Sequence, residues 1–135
     1  MAKDILVTES LSDSMIKAGA KLIERLDAQH TEIKSSFWLY LPEEKIWKMM
    51  LASPLVDSEG PRKYYEKVVA ANEQAAESEE IISLNNIGVT NTTNQIVQLL
   101  RLAVATDDGI SGIRFSKNTI HGVFIDDVYI YRSHS

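Results

Sequence analysis

Apolar residues recur at helical spacing near the start of the chain and then give way to two strand-like runs. The helical stripe extends from Leu11 to Leu26 with charged residues between its members, which predicts an amphipathic helix over residues 10–29. Ser10 and Ser12 are both suitable N-caps, because a serine hydroxyl accepts hydrogen bonds from the free amides of a first helical turn. The apolar stripe of this helix needs a partner surface.

The next two runs predict a β-hairpin that is apolar on both faces. Residues 33–41 and 46–52 flank a short polar loop, and pairing Leu41 with Ile46 sorts their side chains by alternation. The first face then carries Trp38, Tyr40, Trp47, Met49 and Leu51, and the second face carries Phe37, Leu39, Leu41, Ile46 and Met50, interrupted by Lys48. Because a solvated face would be polar, we expect both faces to be covered. Helices would cover one face, and another helix or a second copy of the chain would cover the other.

Helical spacing returns twice in the middle of the chain, on either side of a third strand-like run. Pro61 suits the first turn of a helix, which we expect to end near Glu77. Residues 81–90 would supply the strand, and a third helix would begin near Ile96 and end at residues 107–109.

The segment from Gly112 to Arg132 is rich in β-branched and aromatic residues, which predicts two or three strands. We expect them at residues 113–116, 120–125 and 128–132, with turns at 118–119 and 126–127. Gly122 would lie in a bulge or at a close approach of the backbone. The order of elements is then α-β-β-α-β-α-β-β, with or without one more strand. It predicts a single α+β domain over residues 1–135, with a mixed, largely antiparallel sheet and about three helices.

Composition narrows the functional classes. The absence of cysteine excludes thiol catalysis and cysteine-ligated zinc, and it fits a reducing compartment. A net charge of -5 argues against a protein that binds nucleic acid mainly through its phosphates. Residues 5–7 form too short an apolar run for a signal peptide, and no run approaches the ~18 residues of a membrane helix. We therefore expect a cytoplasmic protein without a membrane or nucleic-acid partner.

Familiar catalytic motifs are absent from the sequence. It has no phosphate-binding glycine loop, no HExxH pair and no GxSxG motif. Its three histidines fall on three different predicted elements, so a triple-histidine zinc site is not expected. We expect no metal and no cofactor, and we favour a protein that is not an enzyme.

The C-terminal segment nevertheless concentrates polar side chains that would suit a site. The candidate catalytic set for phosphoester chemistry is Asp126 and Asp127 to hold a divalent ion, His121 to move a proton, and Arg114 to stabilise charge. The candidate ligand-binding residues are Arg114, Ser116, Asn118, His121, Tyr129 and Tyr131. In the structural alternative, the two aspartates form a turn and Arg114 pairs with Asp126 across neighbouring strands.

A second polar stretch, residues 106–112, also has two interpretations. Its two glycines, acidic flanks and the following Arg114 would suit an anion or a metal. Alternatively, Gly109 ends the preceding helix and Gly112 allows a sharp entry into the next strand. The carboxylates would repel a phosphate unless a cation intervened.

The tail contains Gly-Ile-Ser-Gly-Ile-Arg-Phe-Ser followed by Asn118, Ile120, Gly122 and the run Tyr-Ile-Tyr-Arg, and it resembles a group of short bacterial proteins of uncharacterised function. The resemblance extends to residues 38–42 and 51–54, and it implies no activity. The order of elements is also similar to that in the core of restriction-endonuclease-like nucleases. Those enzymes carry an acid-x-lysine pair on a strand, whereas residues 81–90 contain neither an acidic residue nor a lysine.

We therefore expect a non-enzymatic interaction or small-ligand-binding module that self-associates. The alternative is a metal-dependent hydrolase or nuclease that uses the C-terminal segment. Self-association would form a homo-oligomer, most simply a homodimer, through one apolar sheet face. The residues expected at that interface are Trp38, Tyr40 and Trp47, or else Phe37, Leu39 and Ile46.

Overall fold

The computed structural model describes residues 10–134, so the expectation for residues 5–7 lies outside the described residues. The helices are α1 (Asp13–Ala28), α2 (Leu55–Glu59), α3 (Pro61–Glu73) and α4 (Gln95–Ala103). The strands are β1 (Ser35–Leu41), β2 (Ile46–Ala52), β3 (Ile87–Thr90), β4 (Ile113–Ile120) and β5 (Val123–Ser133). This order confirms the predicted α+β class.

One five-stranded sheet organises the fold, in the order β3-β2-β1-β5-β4. The β2–β3 pair is parallel and the other three pairs are antiparallel, so the sheet is mixed and largely antiparallel as predicted. Leu41 lies opposite Ile46, which confirms the register of the first hairpin. The two faces of that hairpin are therefore as enumerated from the sequence.

Helix α1 starts where its serine cap predicts. Ser12 accepts a hydrogen bond from the amide of Met15 at 3.2 Å, and Asp13 adds a negative charge to the first turn. The predicted apolar stripe is the buried face of the helix, with Met15, Gly19, Leu22 and Leu26 among its buried residues.

Helices lie on both faces of the sheet. On the first face, α1 and α3 cover a core cluster that includes Trp38, Trp47 and Met49. On the second face, Val97 and Leu100 of α4 pack in a second cluster with Phe37, Ala52, Ile125, Val128 and Ile130. Of the two covers expected for the second face, another helix or a second copy of the chain, the helix is present. In the described part of the chain, no helix is both long and apolar enough to span a membrane.

Several element ends differ from the predictions. Helix α3 ends at Glu73 instead of Glu77, and the short helix α2 precedes it. The third strand occupies only Ile87–Thr90, because a 3-10 turn at Leu84–Asn86 takes up the residues before it. Helix α4 stops at Ala103, where the next residue is already extended.

The C-terminal segment forms two long strands, and its turn is not where the sequence suggested. The turn consists of His121 and Gly122, whose φ angles are 48° and 81°. Two positive φ angles define the tight hairpin turn that matches strand twist, and glycine adopts such angles without strain. The expected turns at 118–119 and 126–127 were wrong, because β4 and β5 continue through these positions. Gly122 lies in the turn itself with open space around its Cα, so both the expected bulge and the expected close approach there were also wrong.

A β-bulge near the end of β5 turns two consecutive side chains towards α1. Ser36 pairs with Arg132 and Phe37 pairs with Ile130, so Tyr131 is an extra residue between them. Without the bulge, neighbouring residues would point to opposite faces of the sheet. Tyr131 instead donates a hydrogen bond to the Ile16 carbonyl at 2.7 Å, while the guanidinium of Arg132 pairs with Asp27 at 2.8 Å.

Candidate functional site

Arg114 and Asp127 form a bidentate ion pair on the first face of the sheet. The Arg114 guanidinium donates two hydrogen bonds to the carboxylate, at 3.1 and 2.8 Å, and its carbon lies 5.3 Å from the centroid of the Trp47 ring. The hydrogen bond to Asp127 raises the pKa of Arg114 above its ordinary value. The partner expected from the sequence was Asp126, and this was wrong. Asp127 and Arg114 therefore satisfy each other, and Arg114 also packs on the Trp47 ring.

The other proposed catalytic groups lie elsewhere. Asp126 approaches Lys117 at 3.9 Å, so the two aspartates have separate cationic partners. His121 is exposed in the hairpin turn. Asp127 lies four residues beyond Val123, the first residue of β5, so it is about 13 Å along the strand from the turn. Among residues 10–134, no three His, Asp or Glu side chains come together as metal ligands. The four residues proposed for metal-assisted hydrolysis are thus not assembled into one site.

The residues proposed to bind a ligand are also dispersed. Ser116 and Asn118 are exposed on the edge strand β4, opposite Asp127 and Ile125. Tyr129 is half-buried, and its ring meets the Tyr131 ring edge-on at a centroid distance of 5.3 Å. These side chains do not line a common cavity among those found in the described chain.

Tyr131 is a core residue, which corrects its assignment as a ligand contact. Its side chain is 1% exposed, and its hydroxyl accepts a hydrogen bond from Trp38 Nε1 at 2.8 Å while it donates to the Ile16 carbonyl. Burial raises the pKa of Tyr131 above its ordinary value. The hydroxyl therefore joins β1, β5 and α1 inside the protein.

The 106–112 loop has a structural role in the described contacts. The Asp107 carboxylate accepts a hydrogen bond from the Gly109 amide at 2.8 Å, and the Gly109 carbonyl accepts one from Arg132 Nε at 3.1 Å. Gly109 is not a helix cap, because α4 ends at Ala103. A Cβ on Gly112 would collide with the hydroxyl of Tyr129, so the backbone passes close to that side chain immediately before β4.

A groove beside α3 was not foreseen from the sequence. It has a volume of about 370 Å³ and lies between one side of α3 and the extended segment that leads to β3. Its lining is mostly apolar and consists of Val69, Asn72, Glu73, Ile81, Ile82, Ser83, Leu84 and Asn85. Val69 and Leu84, both large apolar side chains, are 37% and 40% exposed at this groove. We call this feature the α3 groove.

A hydrogen bond connects the two sides of the α3 groove. Asn72 donates a hydrogen bond to the Ile82 carbonyl at 3.3 Å, which joins its two sides. The sequence carries only a weak signal for this groove. Asn72 interrupts the apolar stripe of α3, and Leu84 follows two isoleucines in a segment too short to show a clear periodicity.

A second apolar surface lies on the second face, at the end of the first hairpin. The half-buried side chains Leu39, Leu41, Ile46 and Met50 form it, and we call it the hairpin patch. Lys48 lies within it, with its alkyl stem close to Gly88 of β3. Leu39 and Met50 pack partly against the second core cluster, to which Val97 and Leu100 of α4 belong, while their remaining surface faces outward beside Leu41 and Ile46.

Comparison with protein-family models, with curated proteins and with solved structures found no match to this chain.

Proposed function

We propose that this protein is a non-enzymatic interaction module that self-associates through the hairpin patch. The observation that carries the proposal is the incomplete cover of the second face. Helix α4 has only nine residues, about 14 Å of helix, and four apolar side chains of β1 and β2 on the same face stay half-buried: Leu39, Leu41, Ile46 and Met50. A second copy of the chain would cover the apolar side chains that α4 leaves half-exposed.

The alternative interface on the first face has less support. Trp38 is fully buried and Trp47 is 4% exposed beneath helices of the same chain. Tyr40 is half-buried, with its ring centroid 5.4 Å from that of Trp47. Of the two expected surfaces, the hairpin patch is therefore the one that offers apolar area to a partner, through Leu39 and Ile46 rather than through buried Phe37.

The patch supports a weak dimer more than an obligate one. A stable interface buries about 800 Å² on each partner, and obligate dimers bury more. Four half-buried side chains contribute only part of that area. We expect reversible association that depends on protein concentration.

Sedimentation equilibrium over a wide range of protein concentrations tests the proposal. We expect a monomer–dimer equilibrium that Ile46→Glu abolishes, because a carboxylate would be desolvated at the interface. The matched control is Ala70→Glu, which puts the same charge on an exposed position of α3, on the other side of the sheet. A strict monomer at every concentration, or a dimer that Ile46→Glu leaves intact, would contradict the proposal.

The proposed cellular location is the cytoplasm. The chain has no cysteine, which suits a reducing compartment in which disulfides do not form. Fractionation of cells that express the tagged protein tests this, and recovery in the membrane or secreted fraction would overturn it.

A further inference from the structure

We propose that the α3 groove binds a short amphipathic segment of a partner protein, with apolar anchor residues flanked by lysine or arginine. This inference goes beyond self-association and concerns a surface on a different part of the molecule. It is independent of the hairpin patch, so either proposal can fail alone.

The apolar part of the groove suits side-chain anchors. Its volume of about 370 Å³ falls within the range of roughly 300–1,000 Å³ that is typical of ligand pockets. Val69 on α3 and Leu84 on the opposite wall are both more than one-third exposed at its mouth. Burying them against a partner's apolar side chains would remove apolar surface from water and so stabilise the complex.

The charges around the groove indicate the chemistry of the partner. Glu66, Val69 and Glu73 follow one another at i, i+3 and i+7, so they lie along one side of α3 with the apolar residue between two carboxylates. The two glutamates are about 10 Å apart along the helix axis. Glu80 immediately precedes Ile81 of the opposite wall. A basic residue on each side of an apolar anchor would meet this arrangement.

These carboxylates are not neutralised within the described chain. Its ion pairs engage the carboxylates of Asp27, Glu59, Glu79, Asp126 and Asp127, but none engages Glu66, Glu73, Glu77 or Glu80. Arg62 and Lys63, four and three residues before Glu66, are the cations one helical turn from it on α3. Glu80 lines a separate pocket with Lys17 and Lys21 of α1, so the charge that α3 offers to a partner is that of Glu66 and Glu73. Glu73 in the groove lining and Glu66 two turns before it therefore carry negative charge that no ion pair of the described chain engages, on either side of the exposed Val69.

The groove is also preorganised. The Asn72–Ile82 hydrogen bond holds its two walls, and the Tyr65 hydroxyl donates to the Ile87 carbonyl at 3.1 Å where the segment enters β3. Fixed walls reduce the entropy lost on binding. An open groove with separated charges at its rim fits an extended or helical chain, which can carry an apolar anchor and basic residues at that spacing.

A phage-displayed library of random twelve-residue segments, selected on the full chain at low salt, provides the test. We expect enriched sequences to combine apolar residues with neighbouring lysine or arginine. Synthetic peptides with those sequences should bind at least ten-fold more weakly at high salt, because the ion pairs lie at an exposed rim. No enrichment above background, or enrichment without a basic bias, would overturn the proposal.

Variants then assign the surface. We expect Leu84→Glu to weaken peptide binding at least ten-fold, and the double variant Glu66→Gln, Glu73→Gln to weaken it and flatten the salt dependence. The control is Phe124→Glu, at a 59%-exposed apolar position on β5 away from the groove lining, which should bind as the wild type does. Equal binding by Leu84→Glu would show that the peptides bind elsewhere, and circular dichroism verifies that each variant is folded.

Discussion

Replacing Gly19 by alanine should destabilise this protein, although the same change in most helices is stabilising. Alanine is favoured over glycine in a helix interior by about 1 kcal/mol. At Gly19, however, an added Cβ would collide with the hydroxyl of Tyr131, and would lie 2.9 Å from Tyr131 Cζ and 3.1 Å from Trp38 Nε1. Those atoms are buried and rigid, so the alanine methyl has no free space to occupy.

The size of the loss follows from what must move. Overpacking a core costs about 1–3 kcal/mol. Displacing the Tyr131 hydroxyl also strains or breaks its hydrogen bonds to Trp38 and Ile16, each worth about 1 kcal/mol. After the gain in helix propensity is subtracted, the expected loss is about 2–4 kcal/mol, or roughly 10 °C in melting temperature.

Urea denaturation of Gly19→Ala against the wild type measures this loss. The control is Ser14→Ala, at an exposed position of the same helix, which should change the free energy of unfolding by only a few tenths of a kcal/mol. The double variant Gly19→Ala, Tyr131→Phe should be less unstable than the sum of its single variants, because the colliding oxygen is gone. If Gly19→Ala is as stable as the wild type, the close packing of α1 on Tyr131 is refuted.

Two further predictions concern ion pairs of α1. Asp27→Ala should lower the free energy of unfolding by about 2–3 kcal/mol in urea denaturation, because it leaves the buried guanidinium of Arg132 without its carboxylate, and an unchanged value would contradict this. A hydrogen bond from the Ala76 amide, and then one from Arg25, lower the pKa of Glu79 in the folded protein. The ionised Glu79 side chain therefore stabilises the fold fully above its ordinary pKa of 4.5, and this stabilisation is lost as the pH falls through the lower pKa of the folded state. Wild type and Glu79→Gln should therefore differ in melting temperature at neutral pH and converge in acid, whereas a pH-independent difference would refute the linkage.

The first half of the fold was predictable because its signals are local. The stripe of α1 and its Ser12 cap depend on spacing within one helix, and the Leu41–Ile46 register depends on one short loop. Both signals agree with the tertiary structure, since the same residues that favour each element also face the core.

The C-terminal half was harder because tertiary contacts override local signals. Asp126 and Asp127 look like turn residues in isolation, but each carboxylate has a cationic partner on β4, so both lie within a strand. The two-residue turn instead places His121 at positive φ, which is uncommon for any residue other than glycine, although histidine adopts it more often than most. The bulge beside Ser36 gives no signal in the sequence, and it is what turns Tyr131 and Arg132 inward together.

The candidate surfaces were only partly predictable. Exposed apolar area on the sheet followed from the doubly apolar hairpin, but which part α4 would leave open depended on the position of that helix. The α3 groove depends on how residues 81–85 pass beside α3, and no periodicity in so short a segment specifies that path.

The position of β5 between β1 and β4 has a consequence for how the chain folds as it is synthesised. Contacts that join β5 to the first helix and first strand span 93, 105 and 115 residues along the chain. Until β5 has been made, β1 exposes a free edge to other nascent chains, and such edges promote aggregation. Contacts between residues so distant in sequence also slow folding, so completion of the sheet should limit the rate at which this protein becomes native.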